Sequence, residues 1–295
     1  MKSGFVSIIG RPNVGKSTLI NALLGEKITI TSAKPQTTRN TINCILNTTA
    51  AQIVLIDTPG IVPHPNSKLG KFMERATATA YDGMDIIVMV VTPDKTIGKG
   101  DKAIIETLKG TAFLVINKID TIQKADLLAV IDIYSKEYNF AEIIPISALN
   151  GELNNLTETI ESYLQPGPMY FPDDIATDQP ERQIAAEFLR EKLLHHLQQE
   201  IPHGIAVEIL QMKARKTKSM TGMVDIEAVI YCERDSHKKI IIGKNGEMLK
   251  KIATQARQDI ERLLGSKIFL QTQVKVKKDW RNNDIVLKNL GYKVG

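Results

Sequence analysis

Only two cysteines, Cys44 and Cys232, occur in the 295 residues, and neither belongs to a Cys-x-x-Cys pair or sits near other residues at metal-ligand spacing. A thiolate metal site is therefore excluded, and both read as packing residues. The five histidines form no metalloprotease motif, and adjacent His195 and His196 point to different faces of a helix. Long apolar runs are missing too. The longest, Ile86–Val91, is far too short to span a bilayer and reads as a buried parallel strand. No extended apolar stretch or cleavage site follows Met1-Lys2-Ser3-Gly4, so the expectation is a chain without a signal peptide, located in the cytoplasm. Internal repeats, low-complexity tracts and lipidation motifs are likewise absent from the sequence.

The balance of 43% hydrophobic and 24% charged residues is that of a globular protein, and the length suggests two domains. Charge is unevenly shared. Residues 1–175 hold 16 basic and 18 acidic side chains, a net −2, whereas 176–295 hold 22 and 15, a net +7. A basic second half suits a polyanion, either nucleic acid or an acidic membrane surface.

Short apolar runs alternate with amphipathic segments in the first half, predicting an α/β fold with a mostly parallel sheet. Strands are expected at Phe5–Ile9, Gln52–Ile56, Ile86–Thr92, Ala112–Asn117 and Ile143–Ile146, with an antiparallel edge strand at Asn40–Asn47. Helices are expected at Lys16–Leu24, Ser67–Asp82, Gly100–Lys109, Ala125–Tyr138 and Leu153–Leu164. Prolines at 166, 168, 172 and 180 mark a linker over 168–180, between a domain at 1–167 and a smaller one at 181–295. The second half reads as a helix at Glu181–Gln199, strands at Ala206–Ala214 and Met223–Cys232, helices within 236–264 and a last strand at Lys267–Val276.

Gly10-Arg11-Pro12-Asn13-Val14-Gly15-Lys16-Ser17 fits G-x-x-x-x-G-K-S between a strand and a helix, with Thr18 next in the helix. The glycines let backbone N–H groups face phosphates, Lys16 reaches the β- and γ-phosphates, and the Ser17 hydroxyl suits Mg²⁺. Asp57-Thr58-Pro59-Gly60 ends another strand. Its carboxylate can hold the outer shell of Mg²⁺, and the Gly60 N–H can contact the γ-phosphate. Asn117-Lys118-Ile119-Asp120 ends a third. The Asp120 carboxylate can accept from N1–H and the 2-amino group of guanine; adenine lacks both donors and would leave a charged group unpaired, a penalty of roughly 1–3 kcal/mol or more. The ligand is thus GTP or GDP.

In this order, each at a strand end, the three motifs resemble those of translation-factor-type GTPases. The resemblance implies that Lys118 packs along the base and that Ser147-Ala148-Leu149 is the loop whose Ala148 N–H meets guanine O6. It places Thr37 and Thr38 where a switch segment supplies a threonine to Mg²⁺; the choice stays open, with Thr38 favoured. Ras-like enzymes carry a glutamine after D-x-x-G, but this chain has Ile61, which cannot hydrogen-bond water. The Era family and its relatives share that substitution, and some relatives use an asparagine matching Asn13 to hold K⁺. K⁺ held by Asn13, together with Lys16, Thr38 and Gly60, is the expected catalytic set, with slow intrinsic hydrolysis.

Ile242-Gly243-Lys244-Asn245-Gly246 carries a G-x-x-G between two helical patterns, the second with Leu249, Ile252, Ala253, Ala256, Ile260, Leu263 and Leu264 as its buried stripe. Lys238, Lys239, Lys244, Lys250 and Lys251 surround it, and a further basic stretch, 213–218, lies between two strands. This half resembles a type II KH domain, in which glycines admit a sugar-phosphate backbone and apolar surface receives unstacked bases. A GTPase followed by such a domain resembles the Era family over essentially the whole chain. The resemblance implies a partner, the 3′ end of small-subunit ribosomal RNA, with a role in maturation of that subunit and RNA affinity linked to nucleotide state. The alternative is a peripheral membrane switch whose basic half reads anionic lipid.

Overall fold

The computed structural model describes residues 1–34, 36–60, 66–79, 83–198, 201–215 and 222–292. Two compact units divide it. The first holds Met1–Thr31, Thr38–Pro63 and Met73–Asp178; the second holds Gln179–Gly295 with Ser32–Thr37 and His64–Phe72.

In the first unit the elements are β1 (Lys2–Ile9), α1 (Lys16–Leu24), β2 (Ile42–Asn47), β3 (Ala51–Asp57), α2 (Lys68–Thr79), β4 (Ile86–Val91), α3 (Lys99–Ile105), β5 (Ala112–Ile116), α4 (Lys124–Glu137), β6 (Glu142–Pro145) and α5 (Leu156–Tyr163), with the start of α2 belonging to the second unit. The sheet order is β2-β3-β1-β4-β5-β6, and only β2 is antiparallel to its neighbour. Burial on both faces explains why its strands read as unbroken apolar runs. Along β4, Ile86, Val88 and Val90 join a core with Leu19, Phe113 and Ile160, while Ile87, Met89 and Val91 join another with Ile104, Val130 and Tyr134. Because β1 lies between β3 and β4, the chain leaves it at the crevice where the strand order reverses, the usual ligand position in open α/β sheets.

Several boundaries differ from expectation. α5 starts at Leu156 rather than Leu153 because Asn154 and Asn155 are both left-handed, with φ of 46° and 58°, which a right-handed helix cannot include. α3 ends at Ile105 because the Thr107 and Leu108 amides bond three residues back, tightening the chain into a turn. Residues 80–82, expected to end α2, lie outside the described residues. Nor does the proline-rich stretch from 168 run free. Gln52, fully buried, accepts from the Tyr170 and Phe171 amides at 2.7 and 3.0 Å and donates to the Phe171 carbonyl at 2.9 Å. Farther on, the Ile45 amide donates to the Ala176 carbonyl at 2.8 Å and Thr177 pairs with Cys44, so this segment covers the edge of β2.

The second unit contains α6 (Glu181–His196), β7 (Ala206–Arg215), β8 (Met223–Cys232), α7 (Asp235–Ile242), α8 (Glu247–Leu264), β9 (Lys267–Val276) and α9 (Asp284–Asn289). Its sheet runs β7-β8-β9, antiparallel then parallel. The sequence pattern did not foresee α9, whose six residues are too few to show a helical period. Nor is the stripe of α8 purely apolar. Ile252, Ala256 and Ile260 are buried as expected, Leu249, Ala253, Leu263 and Leu264 only half so, and Asp259 is buried among them. It is held there by Lys192 at 2.5 Å and Arg262 at 3.0 Å. Arg190 on α6 is buried as well, donating to Glu187 and to the Thr37 carbonyl.

Candidate functional site

Four loops at the carboxyl ends of the first sheet's strands build one site. The loop leaving β1 wraps around Lys16, whose Nζ donates to the Gly10 and Arg11 carbonyls at 2.9 and 3.0 Å. Burial pushes this ammonium down to about 8, against the opposing pull of Asp57. Gly15 has φ of 100°, and a Cβ there would stand 2.3 Å from Asn117 Nδ2. The position demands glycine both for its backbone angle and for that side chain's approach.

Asn117, 2% exposed, ties three of the loops together. Its Nδ2 donates to the Val14 carbonyl at 2.9 Å, and its Oδ1 accepts from the Lys118 and Ala148 amides at 2.8 and 3.0 Å. Lys118, left-handed at φ of 65°, lays its stem toward the same loop and donates from Nζ to the Asn13 carbonyl at 2.7 Å. Asp120 Oδ1 accepts from the Ser147 hydroxyl at 2.5 Å, which orients the carboxylate. The Ala148 amide, expected on guanine O6, lies in this cluster and donates to Asn117 Oδ1. Leu149 is 80% exposed beside it.

The third cluster gathers Ser17, Thr38 and Asp57. Ser17 Oγ lies 3.0 Å from Asp57 Oδ2 and 3.1 Å from Thr38 Oγ1, and Thr38 Oγ1 lies 3.2 Å from the same carboxylate oxygen. Asp57 is fully buried, its Oδ1 has no hydrogen-bond partner, and burial pushes its carboxyl up to about 6 despite Lys16 and the two hydroxyls. An unpartnered buried carboxylate oxygen beside two hydroxyls fits a hard, oxygen-seeking cation that takes its remaining ligands from phosphate and water. Among the described residues no three His, Cys, Asp or Glu side chains form a metal-binding group. Thr37 is not in this cluster; its hydroxyl donates to the Lys34 carbonyl at 2.7 Å. Thr58 donates to the Ile8 carbonyl at 3.0 Å, and the Pro59 carbonyl accepts from Thr77 at 2.9 Å, so both shape the loop. Gly60 abuts Pro12, where a Cβ would meet Pro12 Cγ at 3.0 Å. Ile61 lies outside the described residues.

In the second unit α7 ends at Gly243, with φ of 73°, and a single tight turn over Lys244–Gly246 leads into α8. A Cβ on Gly243 would stand 2.6 Å from Met248 Cβ. Lys244, Asn245 and Lys250 are exposed. Of the apolar run before the turn only Ile241 is in the core; Ile240 is 51% exposed and Ile242 half-buried, leaving apolar surface beside the lysines. The basic stretch is described only as far as Arg215, which pairs with Asp225 at 2.5 Å; residues 216–218 lie outside the described residues.

A family model described as 50S ribosome-binding GTPase matches residues 5–118, and one described as KH domain matches residues 200–281. GTPase Era of Clostridioides difficile (strain 630) is 56% identical over 296 residues, covering 99% of this chain and 98% of that one. GTPase Era of Alkaliphilus metalliredigens (strain QYMF) is 52% identical over 295 residues, 99% of both. The chain belongs to the Era family of GTPases. A crystal structure of an alanine variant of Aquifex aeolicus Era bound to GDP and aluminium fluoride superposes with a TM-score of 0.94 at 38% identity, and Era in complex with MgGDPNP and nucleotides 1506–1542 of 16S ribosomal RNA with 0.93 at 39%, each over 99% of both chains.

Set against the sequence reading of this Era family member, the fold gathers Lys16, Ser17, Thr38 and Asp57 at one end of the site and Asn117, Lys118, Asp120, Ser147 and Ala148 at the other. The sequence reading missed the side chains behind the phosphate loop. Arg11 donates from Nε to Asp101 at 2.8 Å and from its terminal nitrogen to Asp94 at 3.0 Å. Asp101, fully buried in α3, was invisible beforehand because an acidic residue in a helix's first turn ordinarily faces water.

Proposed function

We propose that this protein binds GTP with Mg²⁺ in the first unit, hydrolyses it slowly, and uses its basic KH unit to bind the 3′ region of small-subunit ribosomal RNA during maturation of that subunit in the cytoplasm. What carries the reading is the full-length likeness to Era in complex with MgGDPNP and 16S nucleotides 1506–1542, which joins both ligands in one homologous chain. The KH fold favours RNA over anionic lipid as the polyanion met by the basic half. Among the described residues no helix is long and apolar enough to cross a membrane.

The roles we assign to the residues are as follows. Backbone amides ahead of Lys16 face the phosphates, and Lys16 exchanges the Gly10 and Arg11 carbonyls for the β- and γ-phosphates. Ser17 and Thr38 hold Mg²⁺ and Asp57 supports its outer shell; the ion neutralises charge on the phosphates. Asp120, oriented by Ser147, selects guanine. Asn13 would help hold a K⁺ ion, which would supply positive charge near the phosphates. In the KH unit Gly243 and Gly246 admit the RNA backbone, Lys244, Asn245 and Lys250 meet phosphates and bases, and Ile242 offers apolar surface.

Calorimetry with GTP and ATP, filter binding of a synthetic 16S 3′ fragment against its complement, and multiple-turnover assays in K⁺ and Na⁺ test these claims together. Preference for GTP, preference for the fragment and faster turnover in K⁺ are expected. No preference for GTP sinks the nucleotide site, equal binding of fragment and complement sinks the RNA assignment, and equal turnover in both salts sinks only the role of Asn13.

A further inference from the structure

Arg11 follows the first glycine of the phosphate loop, and its guanidinium is engaged on the loop's flank. Nε donates to Asp101 Oδ1 at 2.8 Å, and the terminal nitrogen donates to Asp94 Oδ2 at 3.0 Å and to Thr92 Oγ1 at 3.4 Å. The Thr92 hydroxyl in turn donates to Asp94 at 2.8 Å. The second oxygen of Asp101 accepts from the Tyr134 hydroxyl of α4 at 3.3 Å. Space for the arginine stem comes from two glycines before Asp101: a Cβ at Gly100 would stand 3.0 Å from Arg11 Cδ, and one at Gly98 3.6 Å from a guanidinium nitrogen. One side chain thereby ties the loop to the end of β4 and to α3, and through Asp101 to α4. The same residue's carbonyl receives Lys16 Nζ at 3.0 Å.

We propose that the Arg11–Asp101 pair is a positioning device for the phosphate site, holding the loop so that its amides and Lys16 stand aligned before a diphosphate arrives. Side chains hold this loop: Lys16, Lys118 and Asn117 donate to its carbonyls, and Arg11 alone anchors it to α3 among these four. Gly10, Asn13 and Gly15 all have positive φ, so neither helix nor sheet hydrogen bonds hold that stretch in shape. A loop ordered during folding spares that entropy at the binding step. Asp101 contributes little as packing, since a buried carboxylate carries a desolvation penalty that an apolar residue would avoid. What it supplies is a fixed, charge-assisted anchor for the planar fork of arginine. The inference rests on reading the site as one for guanine nucleotides.

Fluorescent GDP and a GTP analogue titrated into wild type, Arg11→Ala, Arg11→Lys, Asp101→Asn and the Arg11→Ala/Asp101→Asn double variant test it, with KM and kcat measured alongside. Each alanine or asparagine variant is expected to weaken both nucleotides equally, by about tenfold, and to place the loss on KM rather than kcat. The lysine variant should fall between, because it keeps the charge and loses the fork. The double variant should be no weaker than the worse single one, and preference for GTP over ATP should be unchanged. Affinities within about twofold of wild type, or losses that multiply in the double variant, overturn the proposal. Should Asp101→Asn fail to fold, the Arg11 variants still decide, since that side chain is one-third exposed. A wild type that does not select GTP over ATP is a failure of the nucleotide reading instead.

Discussion

A carboxylate that meets guanine through two acceptors differs by one group from an amide suited to xanthine. Asp120→Asn retains an oxygen for N1–H and adds a donor for the 2-carbonyl of xanthine. GTP should therefore bind about 100-fold more weakly, the cost of one charged hydrogen bond and one mismatched pair, and XTP should become the tighter ligand. Competition titration against a fluorescent nucleotide reads this, and retained preference for GTP removes Asp120 from the base site. Thr38→Ala should raise the Mg²⁺ concentration for half-maximal turnover by about tenfold, whereas Thr37→Ala should leave it unchanged because that hydroxyl is bonded to the Lys34 carbonyl. Equal responses would mean that either hydroxyl can serve. Burial raises the Cys44 and Cys232 thiols above their ordinary range, so neither forms thiolate near neutral pH. Both should resist a thiol-reactive dye until the chain is unfolded, and rapid labelling of the native protein would contradict their placement. Asp120 could be marked as a candidate because few residue types accept from guanine, and the fold brings it to Ser147. Asp101 was not, since burial of a charge is decided by neighbours that sequence does not order in space.

Strands and helices differed in how far their limits could be read. β8, β9 and α1 begin and end where the residue pattern put them, as apolar runs or 3.6-residue periods stop at glycines or charges. α5 and α3 do not, because their ends depend on left-handed asparagines and on tight turns that leave the hydrophobic pattern unchanged. The G-x-x-G turn between α7 and α8 offers an element-level test. Gly243→Ala forces a Cβ into Met248 and a side chain into positive φ, so the first turn of α8 must shift. RNA affinity should fall by about tenfold while GTP turnover without RNA stays as in wild type. Unchanged RNA affinity would place the contact elsewhere on this unit.

For the molecule as a whole, the +7 carried by residues 176–295 predicts RNA binding that weakens steeply with salt. Lys244→Glu or Lys250→Glu should each lower the slope of log affinity against log salt by about 0.7, one phosphate contact on a single strand. A slope identical to wild type would exclude the mutated lysine. RNA affinity should also differ by at least about fivefold between GDP and a GTP analogue if the two ligands are linked, and equal affinities would refute the coupling. The order of residues alone determined that this chain binds a guanine nucleotide, that its sheet is mostly parallel and that its second half is a basic KH unit. Those conclusions rest on short motifs and on periodicities written locally along the chain. Folding in three dimensions decided that Thr38 rather than Thr37 stands with Ser17 and Asp57, that Asn117 joins three loops, and that Arg11 is anchored to a buried Asp101. Each of those depends on distances between residues tens of positions apart, which only the packed sheet and its helices establish.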